Sequence, residues 1–279
     1  MKIELNRYIK QNKTFDETDL FREMSKYLSK SHNSLFIEET HQHYVNFISP
    51  TTGCQITRRE ISDLWMISYS PKKKKAKMTF LQAKLLKNKK SVTVPFKFKG
   101  DFYQYDLLAN RPKINDLSGF KFPKFILKNA VSDAIGTYGI FYYDNKNRLD
   151  FSFSVANDLI RNKKKVNCNT KIRTLYFEER QYFKVTPTLP CPKIYDIELR
   201  NTISADCFEF SLLNLFVGSP ISEKDRNLII FLKRFFSNIK GTENFIEFLN
   251  IYDVIDENNN NFEVTGSPNI LLLNTDIKE

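Results

Sequence analysis

Two apolar runs separated by a lysine-rich turn limit this chain more than any other feature. Glu60-Ile61-Ser62-Asp63-Leu64-Trp65-Met66-Ile67 opens the first run, and Lys77-Met78-Thr79-Phe80-Leu81-Gln82-Ala83-Lys84 forms the second. Both are rich in Ile, Leu, Met, Phe and Thr and have no internal Gly or Pro, which predicts strands. Ser70, Pro71 and the lysines Lys72, Lys73, Lys74 and Lys75 lie between them. The pattern predicts an antiparallel hairpin with a charged tip. Side chains two apart on a strand share a face, so Gln82 and Lys84 project together. Hairpin pairing can bring Asp63 beside them.

A carboxylate, a carboxamide and an ammonium group at one point have a chemical use. Asp63 and Gln82 offer hard oxygens to Mg²⁺ or Mn²⁺, with a backbone carbonyl and waters to complete the shell. Lys84 can orient or deprotonate a water, or hold a phosphate. The balance of 43 basic against 32 acidic residues, net +11, favours a polyanionic partner such as nucleic acid. Cys54, Cys168, Cys191 and Cys207 are widely spaced, with no Cys-x-x-Cys pair. That argues against structural zinc and predicts reduced thiols in a cytoplasm. The first 13 residues are polar and no apolar run reaches about 18 residues, so neither a secretory signal nor a membrane span is expected.

Asp63, followed by Gln82-Ala83-Lys84 at the end of the next strand, resembles the PD-(D/E)XK nuclease superfamily in the variant where Gln replaces the second acidic residue. The resemblance covers residues 15–135. Ser62 rather than Pro precedes Asp63, and Gln82 brings no charge to a metal. The resemblance implies a restriction-endonuclease-like α/β core, with a small mixed sheet flanked by helices. It implies Asp63, Gln82 and Lys84 as catalytic residues, Asp63 and Gln82 as ligands of Mg²⁺ or Mn²⁺, and DNA as substrate. It also implies a place in bacterial restriction or anti-phage defence, beside a helicase or sensor partner.

Three further residues are auxiliary candidates. Glu23 lies on a predicted helix running from Asp16 to about Ser29, where a first helix of the resembled fold can supply a carboxylate. Glu60 falls on the opposite face from Asp63 by simple alternation along one long strand, Cys54 to Ser70, and a bulge would bring it into the site. Gln104 lies on a predicted helix over residues 100–108, as a site residue or as a surface or capping glutamine. Arg58, Arg59 and the four lysines of the turn are candidate contacts to a nucleic-acid backbone. His41 and His43, at i and i+2, suggest either a metal pair or a surface turn. Tyr138, Phe141, Tyr142, Phe151 and Phe153 can stack on bases, but at alternate positions they fit a core better.

The first 14 residues are expected to be a short strand or arm, and Pro123 to begin a helix ending before Gly136. Pro187, Pro190 and Pro192 suggest a boundary between a nuclease-like core, 1–186, and a mainly helical region, 187–279. Two alternatives to a DNA endonuclease stay open: a nuclease-like fold that only binds nucleic acid, and an interaction subunit acting through its C-terminal helices. A homo-oligomer is compatible with each.

Overall fold

The structure is a computed structural model that describes residues 1–38, 43–86, 96–117, 122–161, 166–177, 182–187, 195–254 and 267–278. Two helices come first, α1 (Lys2–Gln11) and α2 (Glu17–Leu28). Asp16 caps α2: its side chain accepts the Asp19 amide while the Asp19 side chain accepts the Asp16 amide. Strands β1 (His32–Ile37), β2 (Tyr44–Ile48), β3 (Gln55–Glu60), β4 (Leu64–Ser70), β5 (Lys75–Leu85) and β6 (Phe96–Asp101) follow. Helix α3 (Phe102–Asn110) leads to β7 (Ile114–Asp116), β8 (Gly136–Tyr143), β9 (Leu149–Val155), β10 (Ile160–Arg161), β11 (Ile172–Phe177), β12 (Tyr182–Pro187) and β13 (Tyr195–Thr202). The chain closes with α4 (Ala205–Leu213), β14 (Ser219–Pro220), α5 (Arg226–Phe236), α6 (Glu243–Leu249) and β15 (Ile270–Ile277).

Among the described residues the main sheet has nine strands. Eight run in the order β1-β15-β4-β5-β8-β9-β13-β12, and β14 pairs with β5. The β15–β4 and β5–β8 pairs are parallel, and the other pairs in this sheet are antiparallel. Two three-stranded sheets stand apart, β10-β11-β6 and β3-β2-β7. The expected β4–β5 hairpin is therefore present, at the middle of a mixed α/β fold.

Alternation along the central strands divides the core in two. Leu64, Met66, Leu81, Phe141 and Phe151 face α1, α2 and α4, where Leu5, Phe21, Met24 and Phe208 cover them. Trp65, Ile67, Met78, Phe80, Tyr138 and Ile140 face α3, α5, α6 and the smaller sheets. Trp65 sits among Phe80, Phe122, Phe231 and Phe235, with ring centroids 5.2–6.3 Å away. Both faces of β4 are buried along its length, as expected for a strand inside a covered sheet. Gln82 and Lys84 continue the row of Met78 and Phe80, so they open on the α3 side.

Several expectations are corrected. The sheet is large rather than small. The region beyond residue 187 is no helical appendage: β13, β14 and β15 join the main sheet, and β15 sits between β1 and β4. Its Ile270-Leu271-Leu272-Leu273 run is apolar on both sides, which suits an interior parallel position. The first residues form a helix, docked where Asn6 exchanges hydrogen bonds of 2.8 and 2.7 Å with the Leu149 backbone. After Pro123 there are turns and a short 3₁₀ segment, Asp133–Ile135, instead of a helix. Cys54 and Cys168 form a disulfide with Cα atoms 5.7 Å apart, where free thiols were expected; their 114-residue separation hid the pairing. His43 is buried against Trp65 and Phe122, and His41 lies outside the described residues. No described helix is long and apolar enough to cross a membrane.

Gly136 starts β8 against the end of α3. A Cβ there would come within 2.3 Å of the Leu108 carbonyl oxygen, a backbone atom that cannot turn aside. Gly136→Ala is expected to cost about 1–3 kcal/mol, the usual range for overpacking. Urea denaturation checks it.

Candidate active site

The site begins with a mismatch in strand length. β4 pairs with β5 from Ser70↔Lys75 to Leu64↔Leu81, so residues 82–85 run past the start of β4. On the other side β8 stays alongside, with Gln82 opposite Tyr138 and Lys84 opposite Ile140. The overrun leaves one edge of β5 without a strand partner, and side chains cap it. Asp63 Oδ2 accepts the Ala83 amide at 2.7 Å, and Glu17 Oε1 accepts the Leu85 amide at 2.9 Å. Gln82 Nε2 also donates to Asp63 Oδ2. Because N–H and C=O of one strand residue point to the same side, the Ala83 carbonyl shares this edge with the two carboxylates.

Asp63 is held from behind as well. Its amide reaches the Leu81 carbonyl at 3.2 Å, and Asn269 Nδ2 donates to its carbonyl at 3.3 Å. Burial pushes its carboxyl above the usual aspartate range. Lys84, the Ala83 amide and Gln82 pull the other way, and Glu17 adds to the upward push. The net direction is upward, so burial disfavours the ionised form.

Asp63, Gln82 and Lys84 share one cavity of ≈ 300 Å³ with Tyr44, Arg58, Arg59, Glu60, Asp101, Gln104 and Tyr138. Arg58 lies over the Tyr44 ring, 4.1 Å from its centroid, at the exposed rim. Arg59 pairs with Asp101 at 3.5 Å. Three acids and three bases therefore line one concavity, with Arg58 and Arg59 on β3 and Lys84 on β5.

The three expected catalytic side chains come together, and so do Arg58, Arg59, Glu60 and Gln104. Glu60 arrives by an unexpected route. The predicted long strand breaks at residues 61–63, and β3 departs into the smaller sheet, where Glu60 pairs with Tyr44. The break removes the alternation that would have turned Glu60 away. Gln104 is buried rather than a surface residue; its Nε2 donates to the Ile61 carbonyl at 2.9 Å and so braces this break.

Glu23 is not part of the site: it pairs with Lys26 at 2.5 Å, further along α2. Glu17, in the first turn of the same helix, is the carboxylate beside β5. Nothing in the local pattern separates the two, because the choice depends on which end of α2 meets the sheet. Lys72, Lys73, Lys74 and Lys75 are also displaced from the cavity. They cap the other end of β4, seven residues away, or roughly 20 Å at about 3.3 Å per residue. Asp276 of β15 braces that turn through Ser70 Oγ at 2.6 Å and the Lys72 amide at 3.0 Å.

The donor set can be tested against the expected metal. Carboxylate and carboxamide oxygens line the cavity, without His or Cys, which suits Mg²⁺ or Mn²⁺ rather than zinc. Asp63 Oδ1 accepts no hydrogen bond among the described residues, which keeps one carboxylate oxygen available. Among the described residues no three His, Cys, Asp or Glu side chains cluster as a metal centre. A hydrated ion held by few side chains is the form that fits, and Mg²⁺ keeps several waters in such sites.

A scan against protein-family models, a search of curated proteins and a search of solved structures each return no match.

Asp63→Asn removes a charge that folding disfavours. The parent's carboxyl contributes stability that is fully present below its ordinary value of 3.8 and is lost as pH rises through its elevated folded value. In chelator, Asp63→Asn is therefore expected to melt above the parent at pH 7, with the gap closing below pH 3.8. Thermal melts across pH check the sign.

Proposed function

We propose that this chain is a divalent-metal-dependent endonuclease of the PD-(D/E)XK type, acting on DNA. The observation that supports it best is the gathering of Asp63, Gln82 and Lys84 in one basic-rimmed cavity. Asp63 and the Gln82 carboxamide would hold Mg²⁺ or Mn²⁺, with Glu60 on the facing wall and the Ala83 carbonyl on the same edge. Gln82 now offers its Nε2 to Asp63, and a flipped amide would turn its oxygen inward. When bound, the metal supplies Lewis acidity toward the scissile phosphate and offsets charge on the leaving oxygen.

The remaining chemistry belongs to side chains. Lys84 shares a strand face with Gln82, two residues away, so its ammonium reaches the space where a phosphate and an attacking water would sit. There it orients the water and offsets phosphate charge. Arg58 and Arg59 hold the flanking backbone, which gives affinity rather than sequence preference. The lysine turn would touch a duplex about six base pairs further on, at 3.4 Å per step. A role in restriction or anti-phage defence, beside a helicase or sensor, belongs to the same proposal.

A second reading has its own observation. The residue beside Asp63 is a neutral glutamine, and no cluster of three ligating side chains forms among the described residues. A nuclease-like fold that binds DNA without cutting it would have this appearance. Cleavage of plasmid, single-stranded DNA and RNA in Mg²⁺ or Mn²⁺ separates the two readings. Asp63→Ala and Lys84→Ala are each expected to lower the cleavage rate at least about 100-fold, at the lower end of general acid–base effects. Duplex binding in Ca²⁺ should persist in both. Cleavage that survives both changes removes the proposed site, and binding without cleavage by the parent favours the second reading.

A further inference from the structure

The aromatic residues of β8 and β9 fill the core, and one of them carries a polar atom that packing does not require. Tyr138 is 0% exposed and its ring lies 5.8 Å from that of Phe98. Its hydroxyl has no hydrogen-bond partner among the described residues. Phenylalanine would fill nearly the same space without burying an unpaired hydroxyl, which is destabilising wherever it occurs. The atom is not stranded at random. Tyr138 forms part of the wall of the cavity that holds Asp63, Gln82 and Lys84, and it is the register partner of Gln82 on the neighbouring strand.

We propose that the Tyr138 hydroxyl is a substrate-contacting hydrogen-bond donor, held in the cavity wall for a non-bridging oxygen of the scissile phosphodiester. This rests on the nuclease reading above. The lining acids Glu60, Asp63 and Asp101 are acceptors when ionised and cannot bind a phosphate directly. Arg58 and Arg59 supply charged donors toward the mouth, and Lys84 supplies one beside Gln82. Tyr138 supplies a neutral donor deeper in, fixed by the packing of its ring. Asp101 and Asp63 line the same cavity. Neither carboxylate accepts that hydrogen among the described residues. A donor fixed in low-dielectric surroundings needs no reorganisation as charge develops on the phosphoryl oxygens.

Tyr138→Phe tests the assignment by single-turnover cleavage in Mg²⁺. The rate constant is expected to fall at least about tenfold; loss of one oxyanion donor costs roughly 10²–10³ in other enzymes. Duplex affinity in Ca²⁺ should stay within about threefold, and the melting temperature should match or exceed the parent's, as removal of an unpaired hydroxyl predicts. A phosphorothioate at the scissile position, in the hand that replaces the contacted oxygen, should slow the parent and add nothing to Tyr138→Phe. An unchanged rate in the variant overturns the assignment, as do additive effects with both hands, or a variant that unfolds or melts several degrees early. A parent that cleaves beside an equally active Tyr138→Phe removes only the phenol's role. A parent that leaves DNA and RNA intact with either metal removes the nuclease reading, and this inference with it.

Discussion

The Ala83 amide, left without a strand partner where β5 outruns β4, is satisfied by Asp63 at 2.7 Å. A buried backbone donor must be paired, so the end of β5 needs acceptors at its edge. Side-chain carboxylates supply them at Ala83 and Leu85, and the one at Ala83, Asp63, lines the cavity beside Gln82 and Lys84. Capping the strand and placing that acid at the cavity are one arrangement. The fold accepts the cost of a buried carboxylate there, and the upward push on Asp63 records that cost.

The surrounding parts keep this edge in place. Asn269, just before β15, holds the Asp63 carbonyl and offers its own carbonyl to the Trp65 amide at 2.9 Å. Gln104 holds the Ile61 carbonyl where β3 leaves the line of β4. The Cys54–Cys168 bond ties the start of β3 to the loop before β11, and Tyr103 binds the Cys168 carbonyl at 2.7 Å. The wall bearing Arg58, Arg59 and Glu60 is thus fixed at both ends. Helices on both faces cover the sheet that supports it, which leaves the overrun of β5 as an opening in otherwise packed surroundings.

How much of this was legible depended on the range of each determinant. The hairpin, its turn and the shared face of Gln82 and Lys84 are local: apolar runs and a period of two specify them. Helix α2 could be read from its apolar spacing and the Asp16 cap. Where local preference was weak, reading failed. The first ten residues carry three Ile or Leu among polar neighbours, and their helix persists because Leu5 and Asn6 find partners on the sheet. The pattern over 54–70 continues smoothly in sequence, and only the second sheet explains why it breaks.

By itself the sequence determined which side chains share a strand face and where the hairpin turns, because those depend on residues a few positions apart. It also determined that oxygen donors and a lysine lie close enough along the chain to meet. Only the tertiary structure decided that Glu17 and not Glu23 stands at the edge, that the cavity forms at the end of β4 opposite the lysine turn, and that β15 is inserted beside β4. Those outcomes follow from the docking of distant elements and from unpaired backbone at a strand end. Neither leaves a periodic trace in the residues that it places.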